Sequence, residues 1–149
     1  MRLAVSNIAL PAFDHTEQFY ALAELGLTGV EIAPSRVWKE TWHGLSAEQV
    51  SAYQKAMEAA GLKAVGLHSL FFDRPELGLF KDPELRAGSL EFLTHLSAVC
   101  RDLGGKTLIW GGGRKRGETP ADEAHAEAVE FMGELCRRIS DHGTVFCFE

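Results

Sequence analysis

The feature that most constrains the fold of this chain is a repeated unit in which a helix ends at a glycine and a short apolar strand follows. In the clearest copy, the helical run Ala47–Ala60 leads into Gly61–Phe72, which reads GLKAVGLHSLFF. Further copies end in Glu24–Ala33, Asp102–Gly113 and Asp141–Glu149. Helices that alternate with short strands, at a spacing of about forty residues, predict β/α units around a parallel sheet.

The pattern predicts about five parallel strands and four helices, and therefore an α/β fold. The expected strands are Arg2–Ile8, Gly29–Ala33, Lys63–Leu70, Lys106–Trp110 and Thr144–Glu149. Capping-box patterns at Asp14–Glu17 and Ser46–Gln49, an Asp82–Pro83 pair and Pro120 mark the four helix starts.

Small and large residues alternate along the third strand. Ala64, Gly66 and His68 would share one face, and Val65 and Leu67 the other. Small residues that end in a polar tip suit the interior of a barrel, while large apolar residues suit the side that packs on helices. The alternation favours a TIM barrel over a doubly wound sheet.

Composition indicates a single domain over residues 1–149. The net charge of −6 argues against a nucleic-acid partner. The three cysteines lack CxxC spacing and are interpreted as reduced core residues of a cytoplasmic protein. The N-terminal apolar run is too short and too polar for a signal peptide or a membrane span.

A complete (β/α)8 barrel needs about 250 residues. The chain has 149 residues, which suffices for five β/α strands and four helices, and it stops on Glu149. The sequence therefore predicts an incomplete barrel. Either the chain is a fragment of a longer protein, which we favour, or two copies complete one another as a homo-oligomer.

Ionisable residues stand where three of the predicted strands end. Glu149 is an unusual end for an apolar strand unless its carboxylate is paired, bound to a metal or solvated. His68 could bind a metal or a substrate hydroxyl, carry a proton, or simply cap its strand. Glu31 could bind a substrate hydroxyl or pair with Arg36. Oxygen ligands suit Mg²⁺ or Mn²⁺, and a mixed carboxylate–imidazole set suits Mn²⁺, Co²⁺ or Zn²⁺.

Two loop features remain open at this stage. The segment GGRKRGET has the glycine spacing of a phosphate-binding loop, but Glu118 replaces the required lysine, so that interpretation is rejected. Its basic residues could contact a sugar phosphate or remain solvated. Four aromatic residues could wall a substrate site or pack beneath the loops: Trp38, Trp42, Phe71 and Phe72.

The segments SNIALP, GVEIAPSRVW, GLKAVGLHSLFF and GTVFCFE, in that order and spacing, resemble the xylose isomerase-like TIM barrels. That superfamily contains sugar and sugar-phosphate isomerases and epimerases together with the endonuclease IV group. The resemblance covers the whole chain but only the first five of the eight β/α units of the family.

The resemblance implies a divalent-metal-dependent sugar isomerase or epimerase. Glu149 matches the glutamate after strand five that binds the metal, commonly Mn²⁺, and exchanges a proton with the substrate through an enediolate. His68 matches a strand-three histidine that is often found near the substrate or the metal, and Glu31 matches the strand-two glutamate of the family. The remaining ligands of the family, from strands six to eight, have no counterpart here, so the 149-residue chain alone is expected to be inactive.

Two alternatives accompany this interpretation. In an endonuclease IV-like nuclease acting on abasic DNA, His68 and Glu149 would both bind zinc, but that branch expects a histidine after strand four, where Gly111–Gly113 stand. The other alternative is a barrel relative that binds a sugar without converting it.

Overall fold

The computed structural model describes residues 2–111 and 119–149. Within them, five strands alternate with four α-helices. The strands are β1 (Ala4–Ser6), β2 (Gly29–Ile32), β3 (Lys63–Leu67), β4 (Thr107–Trp110) and β5 (Val145–Phe148). The helices are α1 (Thr16–Glu24), α2 (Ala47–Ala59), α3 (Pro83–Asp102) and α4 (Ala121–Arg138). The strands form one parallel sheet in the order β1-β2-β3-β4-β5, which confirms the predicted α/β architecture.

The glycine that follows each helix has the left-handed backbone that this position favours. The φ angles of Gly26, Gly61, Gly104 and Gly143 are +82°, +80°, +80° and +68°. Glycine adopts this conformation without the steric penalty that a Cβ introduces, so α1, α2 and α3 end sharply at their glycines and the chain turns back toward the sheet. The expected helix end at Gly143 is wrong, because α4 ends at Arg138 and Gly143 lies in the turn that leads to β5. The repeated glycine therefore has a direct physical cause.

Two of the four predicted helix starts, those of α2 and α3, have the side-chain cap that the sequence predicts. Ser46 and Gln49 form the complete capping box of α2, and Asp82 Oδ1 accepts a hydrogen bond from the Leu85 amide (3.0 Å). The predicted capping box at Asp14 is wrong, because His15 occupies the N-cap position of α1. The Asp14 carboxylate instead accepts from the amide of Thr16, two residues on (3.1 Å).

The helix-facing side of the sheet forms the core. Val30, Ile32, Leu67 and Leu108 are completely buried there against the helices. Side chains from each helix complete the core, including Phe19, Met57, Phe92, Leu93, Leu96, Phe131 and Leu135. Burial of this apolar surface holds the helices on one side of the sheet and leaves the other side for the interior of a barrel.

The predicted faces of β3 are wrong in its first half because the strand contains a β-bulge. Ala64 pairs with Val30, but Glu31 pairs with Gly66, so Val65 is an extra residue in the ladder. Ala64 consequently packs against the core, and Val65 is 41% exposed instead of lying under the helices. After the bulge, Gly66 and Leu67 lie on the predicted sides.

The third strand is also shorter than predicted. It ends at Leu67 rather than Leu70, because Ser69 has a left-handed backbone (φ +53°) that turns the chain away from the sheet. His68 thus lies immediately beyond the strand, with its amide donating to the Ile32 carbonyl (2.9 Å).

Candidate functional site

The carboxyl-end edge of the sheet brings together polar residues from three neighbouring strands. Ser6 pairs in register with Glu31, and Glu31 pairs with Gly66, two residues before His68. In barrels of β/α units, this edge is where active sites are built, since the loops after the strands surround it. The first half of the sheet therefore presents Ser6, Glu31 and His68 as one polar group.

The imidazole of His68 is hydrogen-bonded at both ring nitrogens. Its Nε2 lies 2.7 Å from Ser6 Oγ, and its Nδ1 lies 3.1 Å from Ser69 Oγ. Ser6 Oγ also accepts a hydrogen bond from the Ile8 amide (3.2 Å). Because Ser6 lies at the end of β1 and His68 follows β3, the first of these bonds crosses the end of β2 and fixes the orientation of the ring.

Burial lowers the pKa of His68, while the negative charge of Glu31 opposes that shift. The ring is therefore neutral at pH 7, with one nitrogen as donor and the other as acceptor. Both serine hydroxyls can donate or accept. A neutral imidazole of this kind can bind a sugar hydroxyl or take up a proton.

Glu149 lies at the same edge but two strands further along the sheet. Its amide donates to the Trp110 carbonyl (3.2 Å), which continues the β4–β5 pairing by one residue. Its carboxylate lies over Gly111, the residue that follows β4. With strands about 4.8 Å apart, the ends of β3 and β5 are separated by roughly twice that distance, so Glu149 stands apart from the Glu31–His68 pair.

A divalent metal would find one suitable ligand here. Glu149 is exposed and offers carboxylate oxygens, which suit Mn²⁺ or Mg²⁺. His68 is less suitable as it stands, because both of its nitrogens are engaged with hydroxyls. In residues 2–111 and 119–149, no three His, Cys, Asp or Glu side chains are grouped closely enough to hold a metal ion.

Glu31 does not form the ion pair with Arg36 that the sequence left open. The Arg36 guanidinium donates instead to the carbonyl of Leu10 (2.6 Å), in the loop after β1. Glu31 is half-buried in the middle of the polar group, with Ser6 on one side and Gly66 on the other.

Sequence reasoning missed Asn7, which joins the ends of β1 and β2. Its side chain is completely buried; Oδ1 accepts from the amide of Ala33 (2.8 Å) and Nδ2 donates to the carbonyl of the same residue (3.2 Å). The amide thus links the segment after β1 to the segment after β2. A polar pair, Ser6–Asn7, at the end of an otherwise apolar strand was the available signal.

A separate buried polar chain joins the loop before α1 to α2. His15 is 1% exposed, and its Nε2 must donate to the Pro11 carbonyl (2.6 Å), since a carbonyl only accepts. Its Nδ1 therefore accepts from the Tyr53 hydroxyl (2.7 Å). Burial lowers the pKa of His15 and raises the pKa of Tyr53, so both are neutral.

The ring of Tyr53 also borders an open cavity of about 290 Å³ between α1 and α2. Phe13, Trp38 and Gln49 line the same cavity. The hydrogen-bonding groups of His15 and Tyr53 are engaged with each other and with the protein, so the cavity presents mainly aromatic and apolar surface.

Three of the four loop aromatic residues pack beneath the loops. Trp38 is buried against Tyr53, Trp42 lies against Phe92, and Phe71 lies between Phe92 and Trp110. Phe72 is different, because 77% of it is exposed. It is the member of this group that is free to contact a ligand.

The three cysteines differ in their exposure. All three cysteines are free; Cys100 is buried as predicted, whereas Cys136 is exposed and does not belong to the core.

The basic residues Arg114, Lys115 and Arg116 lie outside the described residues. Among the helices of the described part of the chain, none is both long enough and apolar enough to cross a membrane.

The family model described as Xylose isomerase-like TIM barrel matches residues 19–149. A search of curated protein sequences found no match. Solved structures superpose on nearly the whole chain at low sequence identity, and such a likeness shows the fold alone.

Three of these structures illustrate the similarity. D-Psicose 3-epimerase with D-tagatose, from Clostridium cellulolyticum H10, shares 17% identity at a TM-score of 0.75, over 99% of this chain and 52% of that one. The IOLI protein with a bound zinc atom shares 15% identity at a TM-score of 0.73, over 99% of this chain and 51% of that one. 3-Keto-D-glucoside 4-epimerase from E. coli shares 18% identity at a TM-score of 0.68, over 99% of this chain and 55% of that one. The chain therefore spans about half the length of the solved structures that it matches.

Proposed function

Because the chain belongs to the Xylose isomerase-like TIM barrel family, we propose that the whole protein is a sugar or sugar-phosphate isomerase or epimerase. The reaction would transfer a proton at the carbon next to a carbonyl, through an enediolate. The observation that carries this proposal is the position of Glu149, an exposed carboxylate at the carboxyl end of β5, on the same edge as Glu31 and His68.

Glu149 is proposed to act as catalytic base and as one ligand of a divalent metal, with Mn²⁺ the preferred ion. The ion would polarise the substrate carbonyl and thereby make the neighbouring C–H more acidic. Since the described residues offer a single ligand, the other donors would come from the rest of the whole protein. A carboxylate beside that carbon can accept its proton and return it to the same or the neighbouring carbon.

Glu31 and His68 are proposed to bind substrate hydroxyls. The Glu31 carboxylate can accept from them, and the neutral imidazole can do so after exchanging its longer bond, the one to Ser69 (3.1 Å). The shorter bond to Ser6 would keep the ring in place during this exchange. The partner class is thus a small polyhydroxylated molecule.

The nuclease alternative receives less support. It would need a further histidine after strand four, where the chain has Gly111–Gly113. The net charge of −6 also disfavours association with DNA phosphates.

The proposal is tested by proton exchange in the full-length protein. Ketoses and their phosphates are incubated with Mn²⁺ in D₂O, and deuterium uptake next to the carbonyl is followed by NMR. Glu149→Gln is expected to reduce uptake by at least about 10²-fold, the usual effect of losing a positioned base, and Glu91→Gln, an exposed carboxylate on α3, to leave it unchanged.

Uptake at the normal rate in Glu149→Gln would refute the catalytic role. Binding of a sugar without any exchange by the unmodified protein would favour the non-catalytic relative. Cleavage of abasic DNA in place of exchange would favour the nuclease.

A further inference from the structure

The end of β4 lies unusually close to the carboxylate of Glu149. Trp110 pairs with Phe148, and the Glu149 amide donates to the Trp110 carbonyl, so Gly111 and Glu149 are neighbours beyond the last paired residues. A Cβ placed on Gly111 would lie 2.5 Å from Glu149 Oε2 and 3.6 Å from its Cδ. Ordinary contacts of a Cβ begin about 1 Å further away, near the 3.5–4.0 Å optimum for non-bonded atoms.

The backbone of Gly111 gives no reason for a glycine. Gly26, Gly61 and the other helix-ending glycines have a left-handed φ, whereas Gly111 does not belong to that group. A residue with a side chain could therefore adopt the conformation of Gly111 without strain. An added side chain would instead compete with the Glu149 carboxylate for the same space.

We propose that Gly111 is a positioning residue: the missing side chain at the end of β4 lets the Glu149 carboxylate lie flat over the sheet edge, where the proposed metal and substrate would meet it. This inference rests on the proposed function, because the position of the Glu149 carboxylate matters only if that carboxylate meets the metal and the substrate. It concerns Gly111 alone and adds no new ligand.

The proposal predicts an effect on function without an effect on folding. The atom nearest to an added methyl group is the far end of an exposed and flexible side chain, so Gly111→Ala can be accommodated by rotation of Glu149. The carboxylate then moves by about 1 Å, and a misplacement of that size can reduce turnover by about 10²-fold.

The test uses the full-length protein and three variants. Gly111→Ala is compared with Glu149→Gln and with Gly133→Ala, a control in α4 where an added Cβ meets nothing closer than 3.8 Å. Thermal melting of the metal-free protein reports folding, and calorimetric titration with Mn²⁺ reports the carboxylate independently of turnover. Gly111→Ala is expected to melt within a few degrees of the unmodified protein and to bind Mn²⁺ about tenfold or more weakly.

Gly133→Ala should keep the original Mn²⁺ affinity. If Gly111→Ala also keeps it while Glu149→Gln loses it, the role of Gly111 is refuted and the proposed function stands. If Glu149→Gln keeps it, the metal role of Glu149 fails, and the inference fails with it. A large loss of melting temperature in Gly111→Ala would refute the inference too, because the added methyl would then be disturbing the fold.

A double-mutant cycle with Glu149→Asp provides a second measurement. Aspartate is one methylene shorter, so its carboxylate retreats from position 111. The loss of Mn²⁺ affinity caused by Gly111→Ala should shrink when it is combined with Glu149→Asp, whereas an equal loss in both backgrounds would contradict direct contact.

Discussion

Replacing Tyr53 with phenylalanine tests whether the buried polar chain stabilises the protein. The substitution keeps the ring and its edge-on contacts with His15 and Trp38, and it removes one oxygen atom. That oxygen donates to His15 Nδ1 (2.7 Å), so the loss falls on His15.

The expected cost follows from the burial of His15. Without Tyr53 Oη, the ring nitrogen Nδ1 is an unsatisfied acceptor in a side chain that is 1% exposed. Leaving one buried polar group without a partner costs about 1–3 kcal/mol. The ring cannot recover by turning over, because Nε2 is held by the Pro11 carbonyl. We therefore expect Tyr53→Phe to lower the free energy of unfolding by about 1–3 kcal/mol.

Urea unfolding of the full-length protein at pH 7.5, followed by far-UV circular dichroism, measures this change. Tyr20→Phe is the matched control, because Tyr20 lies on α1 with 49% of its surface exposed. Its effect should stay within about 0.5 kcal/mol. Equal changes in the two variants would refute the argument that the Tyr53 hydroxyl satisfies a buried acceptor.

Two further predictions concern stability. Gly66→Ala should lower the free energy of unfolding by about 1–3 kcal/mol through overpacking, because the added Cβ would overlap the backbone carbonyl of Thr107. Gly88→Ala is the control, because an added Cβ there makes only ordinary contacts of 3.6 Å or more, and an equal effect would contradict this reasoning. Burial lowers the pKa of His15, His68 and His95, so the unfolded chain binds more protons below about pH 6.5. Stability should therefore fall as the pH drops from 7.5 to 5.5, and a flat urea midpoint over that window would contradict the neutral assignment.

The sequence predicted the order of elements well because the signals for it are local. A glycine in the left-handed conformation and a serine with a glutamine three residues later each determine a helix end through bonds within one turn. The predicted cap at Asp14 failed because a contact between distant residues competes with the local signal. His15 is drawn into the buried contact with Tyr53, a residue 38 positions away, and this tertiary bond places the helix start one residue later.

The candidate site was predictable only as single residues at strand ends. Glu31 and His68 were recognised from their positions, but the hydroxyl that holds His68 comes from Ser6, 62 residues earlier in the chain. Such a partnership depends on which strands are neighbours and on their register. The closeness of Gly111 to Glu149 likewise arises from pairing between β4 and β5, and no pattern within either strand indicates it.

The bulge at Val65 acts as a change of phase within β3. If residues alternated strictly from Ala64, which packs on the helices, His68 would also point toward the helix layer. The extra residue reverses the alternation, so Leu67 enters the core and His68 reaches Ser6 on the opposite side. The number of residues in this strand, more than the identity of the side chain at position 65, therefore decides whether the histidine faces the barrel interior. An insertion or deletion at that point would redirect the imidazole even if every other residue stayed the same.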